Sequence, residues 1–247
     1  QFANSVPFYG TVCACKDSKN VASILSKIDK PIITYGIDSQ NVDIKAENLH
    51  QENGTISFDV KVKDQMFSIN LSVPGKYNVY NALASLSVCE TMGIDLESAC
   101  KALSNFSGVK RRFDIKANKD IMIIDDYAHH PVEVQNVIET VKSNWNKNLN
   151  VIFQPHLFSR TKEFYKDFAK ALMIADNVMI TEIFGSREKE DNSTTSDLII
   201  NEMLKLNHKN VSYVSSKDIV EEVKSVGVKG DIFLTMGAGN IWRYAEE

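Results

Sequence analysis

Five short segments in the second half of the chain constrain its fold most: IMIID (121–125), NVIFQ (150–154), NVMITEI (177–183), VSYV (211–214) and DIFLTM (231–236). Each is rich in β-branched residues and apolar at nearly every position, whereas a strand with one wet face alternates. Continuous apolarity means burial on both faces, the condition of a parallel strand covered by helices. Amphipathic stretches lie between the segments, such as 160–173 with Phe164, Phe168, Ala171 and Leu172 on one face. The predicted fold is therefore α/β, a mostly parallel, Rossmann-like sheet sandwiched by helices. Ligands of such a sheet bind just beyond the carboxyl ends of its strands.

The texture differs before residue 107. VDIKAENLH (42–50), TISFDVKV (55–62) and MFSINLSV (66–73) alternate in part and are separated by Asn53-Gly54 and by Lys63-Asp64-Gln65. Asn-Gly is the strongest short hairpin signal, so these three read as an antiparallel meander. Pro74-Gly75 ends it. Two helices follow, one with Val79, Leu83, Leu86 and Cys89 on its stripe and one capped by Asp95 and carrying Leu96, Ala99, Cys100 and Leu103. The predicted domains are 1–107, antiparallel strands plus helices, and 108–247, the parallel sandwich.

Composition narrows the function. With 43% hydrophobic and 24% charged residues and a net charge of −4, the chain is that of a globular protein. Its 28 Lys and Arg are scattered, so neither nucleic acid nor a membrane surface is an expected partner. No apolar run approaches a membrane span. The four cysteines form no CxxC pair, which points to free thiols in a reducing cytosol and a cytoplasmic location. The opening QFANSVPFYG has no initiator Met and reads as a cut through a larger protein.

Polar groups gather at three strand ends. Asp125-Asp126-Tyr127-Ala128-His129-His130 follows one strand, Gln154-Pro155-His156-Leu157-Phe158-Ser159-Arg160-Thr161 a second and Gly237-Ala238-Gly239-Asn240 a third. Each alone has a bland reading: His129-His130 before Pro131 suits the start of a helix, and glycines at a turn are often only steric. Adjacent histidines do not share a helix face, so no two-histidine metal site is expected. Three clusters at one sheet edge point instead to a shared site.

The motifs PGKYNVYNALAS (74–85), GVKRRFD (108–114), DDYAHHPVE (125–133), FQPHLFSRT (153–161) and GAGNI (237–241) resemble, in order and spacing, those of the Mur ligase family. The resemblance spans essentially the whole chain. It implies three domains in the complete enzyme, of which this chain corresponds to the second half of the central ATPase-like domain plus the carboxy-terminal Rossmann-like domain. It implies ATP-dependent phosphorylation of a UDP-sugar carboxylate, followed by attack of an amine on the acyl phosphate. The QPH…SRT string resembles the members that join L-alanine to UDP-N-acetylmuramate more than those that recycle murein tripeptide. No G-x-x-x-x-G-K-[ST] phosphate loop occurs, and Lys76 has the wrong glycine spacing to substitute. Magnesium ligands are thus expected outside this chain, with none inside it, and this part alone is not expected to hydrolyse ATP.

Residue by residue, Asn78 and Asn81 resemble the family's adenine contacts, Arg112 its phosphate-reaching arginine and Asp126 its ribose acceptor, with Arg111 the weaker match. His156, Arg160 and His130 resemble residues that hold the incoming amino acid, an arginine fork suiting the carboxylate of L-alanine. Tyr77 stands where the family usually has histidine, and Leu157 where many members have arginine. The loop Ser186–Thr195 matches poorly, and a solvated loop is an equal reading.

Overall fold

The computed structural model describes residues 2–247 and divides into two compact units, one ending at Ser107 and one starting at Gly108. The first unit contains β1 (Val12–Cys15), α1 (Lys19–Ala22), β2 (Ile32–Gly36), β3 (Ile44–Glu52), β4 (Thr55–Val62), β5 (Gln65–Leu71), α2 (Lys76–Thr91) and α3 (Leu96–Ser104). Its sheet has the order β1-β2-β3-β4-β5. The last three strands form the expected meander. Asn53 and Gly54 both take positive φ, as a two-residue hairpin turn requires. In β4 the alternation is clean, with Ile56, Phe58, Val60 and Val62 buried against α2 and α3 residues such as Leu83, Leu86 and Leu96. Asp95 caps α3, its carboxylate accepting from Ser98 N–H at 2.8 Å. Cys100 is buried, but Cys89 is only half-buried.

Beside the expected meander, the first unit has two parallel pairings that the sequence does not announce. β1 and β2 run parallel to each other, and β2 runs parallel to β3. VCAC and IITYG are short and one-sided, so periodicity alone does not separate them from loop.

The second unit contains β6 (Asp114–Asn118), β7 (Met122–Asp126), α4 (Pro131–Asn144), β8 (Leu149–Phe153), α5 (Phe158–Leu172), β9 (Asn177–Ile180), α6 (Asp197–Lys205), β10 (Val211–Tyr213), α7 (Ile219–Val226) and β11 (Ile232–Met236). The sheet order is β10-β9-β8-β11-β7-β6, parallel throughout except for β6, which pairs antiparallel with β7. Every residue of β8 and β11 is buried, as continuous apolarity predicts for central strands. β6 is the strand that the sequence conceals, because DIKAN is a polar edge with little to bury. The strand expected to run through 183 stops at Ile180, since Glu182 turns aside to accept from the Ser216 amide and hydroxyl.

Phe168 of α5 is 1% exposed and packs on Phe153 with ring centroids 5.1 Å apart. Phe168→Ala should cost about 3–5 kcal/mol of stability, as buried aromatic truncations do. Chemical denaturation measures this, and a loss below about 1 kcal/mol would mean that the core refills the space.

Candidate active site

β8, β11 and β7 are neighbours, with Met236 in register with both Phe153 and Asp126. The three polar clusters therefore emerge side by side from the middle of one sheet edge. Gly239 is there because space is short: a Cβ would lie 2.3 Å from Gln154 Oε1 and 2.6 Å from the Phe184 ring. Gln154 is buried, donating to Asn240 Oδ1 at 2.9 Å and accepting from Ile241 N–H at 3.2 Å.

Arg111 ties the edge together. Its Nε donates to Asp125 Oδ2 at 3.1 Å, Nη1 to Gly239 O at 3.2 Å and Nη2 to Gly237 O at 2.5 Å. The guanidinium also lies 5.0 Å from the centroid of the Tyr127 ring. Asp125 is fully buried, and its other oxygen accepts from Thr235 Oγ1 at 2.7 Å. Arg111 and Phe113 both adopt positive φ, 61° and 50°, strain that the surrounding contacts hold. The alternate geometry turns Arg112 outward, where its guanidinium is exposed and has no hydrogen bond or ion pair among the described residues.

Asp126 is not an open acceptor. At 2% exposure, its Oδ2 accepts from Phe113 N–H and its Oδ1 from Ala128 N–H, both at 2.7 Å. Asp126, the residue expected to accept from a ribose, thus also serves as a buried brace between two loops. Burial pushes its pKa up to about 6, outweighing the two amides and the Arg112 charge.

The two histidines divide their work. His130 caps α4, its Nδ1 accepting from Val132 N–H at 3.4 Å, and its ring packs on Phe164. His130, expected to help hold the amino acid, thus uses its Nδ1 to close the start of α4. His129 lies beside His156. Its Nδ1 lies 2.9 Å from Tyr127 O and 3.5 Å from Glu133 Oε2, and its ring centroid is 5.8 Å from that of His156. No spacing rule separates adjacent histidines, so only the cap reveals which is which.

His156 and Arg160 do meet, Nη1 standing 3.3 Å from His156 Nδ1. The guanidinium can only donate, so Nδ1 accepts and the ring proton sits on Nε2. Burial lowers the His156 pKa, and Arg160 and His129 lower it further against the opposing charge of Glu188, which favours the neutral ring. The ring stacks on Phe184 at 5.9 Å. Leu157 takes φ 70°, which turns the chain into α5. Beside it, the Ser159 amide and hydroxyl both donate to Glu188, the amide at 3.0 Å. A cavity of 510 Å³ lined by Phe158, Glu182, Asp191, Asp197 and Tyr213 opens nearby but includes neither His156 nor Arg160. Its carboxylates suit no anion.

In the first unit, Asn78 Nδ2 donates to Pro74 O at 2.7 Å and its Oδ1 accepts from Asn81 Nδ2 at 3.2 Å. Asn81 is exposed, and its amide oxygen has no hydrogen-bond partner among the described residues. Sequence reasoning missed Asp17, which follows β1. Its carboxylate accepts from the amides of Ile37, Asp38 and Ser39 and from Tyr80 Oη at 2.9 Å. Burial alone would raise its pKa, but these bonds hold it well below the usual carboxylate range. Asp17 thereby fixes the 37–39 loop to α2, the helix that carries both asparagines.

A doubly wound sheet with polar loops at its carboxyl edge, preceded by a smaller mixed sheet, defines a two-unit α/β protein whose ligands are expected at that edge. Residues 111–239 match the model of the Mur ligase glutamate ligase domain, and residues 1–89 that of the Mur ligase middle domain. The chain belongs to the Mur ligase family. It is 40% identical over 251 residues to the UDP-N-acetylmuramate–L-alanine ligase of Caldanaerobacter subterraneus subsp. tengcongensis, covering 100% of this chain and 54% of the relative. The Clostridium tetani protein of that name is 38% identical, covering 98% of the chain and 54% of its own length. The chain spans about half the length of these relatives. Among solved structures, the UDP-N-acetylmuramate-alanine ligase of Thermotoga maritima aligns at TM-score 0.71 and 30% identity, over 86% of this chain and 46% of its own. A murein peptide ligase from Psychrobacter arcticus aligns at TM-score 0.70 and 22% identity, over 99% of this chain and 53% of its own, which shows the shared fold.

The raised Asp126 pKa has a signed consequence. Unfolding returns the carboxyl to about 3.9, so between there and about 6 the folded chain holds the extra proton. The contribution of this group to stability therefore rises as pH falls through that window. Relative to Asp126→Asn, the wild type should gain up to about 1.4 kcal/mol per pH unit on acidification. Urea midpoints at several pH values test this, and a pH-independent difference would contradict it.

Proposed function

We propose that this chain supplies the adenine-contacting and amino-acid-binding parts of an ATP-dependent ligase that joins L-alanine to UDP-N-acetylmuramate, a cytoplasmic step of peptidoglycan synthesis. The observation that carries the reading is the His156–Arg160 pair at the carboxyl edge, in a chain whose curated relatives bear that activity in their names. In this reading the first unit is the latter part of the central ATP-binding domain and the second unit the amino-acid domain. ATP phosphorylates the UDP-sugar carboxylate, and the amine of alanine then attacks the acyl phosphate with loss of phosphate.

The roles follow from what each side chain has left to offer. Arg160 presents a guanidinium fork to the alanine carboxylate, backed by a neutral His156 that adds no competing charge. The outward Arg112 offers its free donors to phosphate. Asn81 accepts from and donates to the adenine edge, with Asn78 holding its amide in orientation. Among the described residues no three His, Cys, Asp or Glu side chains converge on a metal position.

Arg160→Lys, made in the full-length enzyme, keeps the charge but loses the fork. The KM for L-alanine should rise about tenfold or more while the KM for ATP barely moves. Loss of turnover at saturating alanine with unchanged alanine KM would assign Arg160 to a phosphate instead. Asn81→Ala should do the reverse, raising the ATP KM by roughly three- to tenfold for one lost hydrogen-bonding group. Steady-state kinetics varying one substrate at a time reads both, and an unchanged ATP KM would remove Asn81 from the adenine site.

A further inference from the structure

Glu188 lies 29 residues beyond Ser159, in the loop that follows β9. Its Oε2 accepts from the Ser159 amide and its Oε1 from the Ser159 hydroxyl, so both oxygens are held by one residue. That residue adjoins Arg160, whose guanidinium reaches His156. The loop is anchored at its start, where Leu157 N–H donates to Phe184 O and Phe184 N–H to Pro155 O, and Gly185 packs where a Cβ would lie 2.6 Å from the Phe158 ring. Past that anchor, Ser186 and Arg187 are exposed, Ser186 adopts φ 52°, and the Glu188 amide bonds only back to Gly185 O. Glu188 thus reaches from an exposed segment to donors at the start of α5, one residue before Arg160 in the chain.

An amide and a hydroxyl aligned on one carboxylate, one residue before Arg160 in the chain, form a donor set that suits the carboxylate of an α-amino acid. We infer that Glu188 is an internal competitor for the amino-acid carboxylate at Ser159 and Arg160, and that it restricts the site to neutral amino acids. Substrate binding transfers the Ser159 donors from Glu188 to the incoming carboxylate, and the 186–190 segment moves aside. The displaced Glu188 stays near the site with its negative charge, so aspartate and glutamate meet like-charge repulsion that alanine does not. This rests on the amino-acid reading above, and it makes Glu188 a specificity-determining residue in place of a solvated loop position.

The test follows the Ser159 amide and the Arg160 Nε resonances by NMR in the 247-residue chain during titration with L-alanine, alaninamide, L-aspartate and acetate. Wild type is compared with Glu188→Gln and Glu188→Ala, whose folds are checked by unchanged amide spectra in β8 and β11. Removing the competitor should lower the L-alanine midpoint by about three- to tenfold, the range of one hydrogen-bonded contact. The gain for L-aspartate should be larger, and alaninamide should leave Ser159 unmoved in all three proteins. Equal or higher L-alanine midpoints in both variants would overturn the inference while leaving the alanine site intact. A Ser159 response to acetate that Glu188 removal sharpens, with no response specific to alanine, would support carboxylate competition and remove the amino-acid reading. Silence of Ser159 towards every carboxylate in all three proteins would overturn the inference.

Discussion

The second unit depends on one guanidinium. Arg111 is bound to a carboxylate on β7, to two carbonyls of the loop after β11 and to an aromatic ring between them. Asp125 is fully buried, and a charge there without a partner would be costly. Removing one member of such a pair typically costs about 3–5 kcal/mol, because the other is left uncompensated. The ion pair is therefore less a source of net stability than a constraint: with Asp125 in place, Arg111 has to be where it is. The positive φ of Arg111 and Phe113 is the local strain accepted in return.

From that constraint the rest of the edge follows. Fixing Gly237 and Gly239 seats the loop on Gln154, which orders the start of the segment that ends in His156 and Arg160. Turning Arg111 inward turns Arg112 outward, which separates a structural arginine from one with donors to spare. Asp126 closes the other side by bracing Phe113 and Ala128. The site is thus a set of groups whose orientation is decided one layer beneath it, by buried charges and close glycine contacts.

Much of this architecture was legible in the sequence because it rests on periodicity. The continuous strands, the Asn53-Gly54 hairpin, the Asp95 cap and the convergence of three polar clusters all follow from local pattern. What was not legible depends on contacts between distant residues or on backbone angles. β1, β2 and β6 are too short or too polar to show a period. The clamp of Arg111 on Gly237 and Gly239 joins positions more than a hundred residues apart. Asp126 reads as a free acceptor until Phe113 and Ala128 are seen to hold it. His129 and His130 are indistinguishable until one of them caps a helix. The amide nest around Asp17 is built from residues about twenty positions away, with no side-chain signature.

Hydrogen exchange in Arg111→Lys tests the central claim most directly, because lysine keeps the charge but cannot reach three acceptors at once. Amides at Tyr127, Ala128, Gly237 and Ile241 should exchange at least about tenfold faster, as local opening of the edge predicts. Those of Ile124 and Leu234, inside the central strands, should keep their protection. Unchanged exchange at the four loop amides, or a uniform rise across loops and strands alike, would contradict the view that this one side chain sets the geometry of the edge.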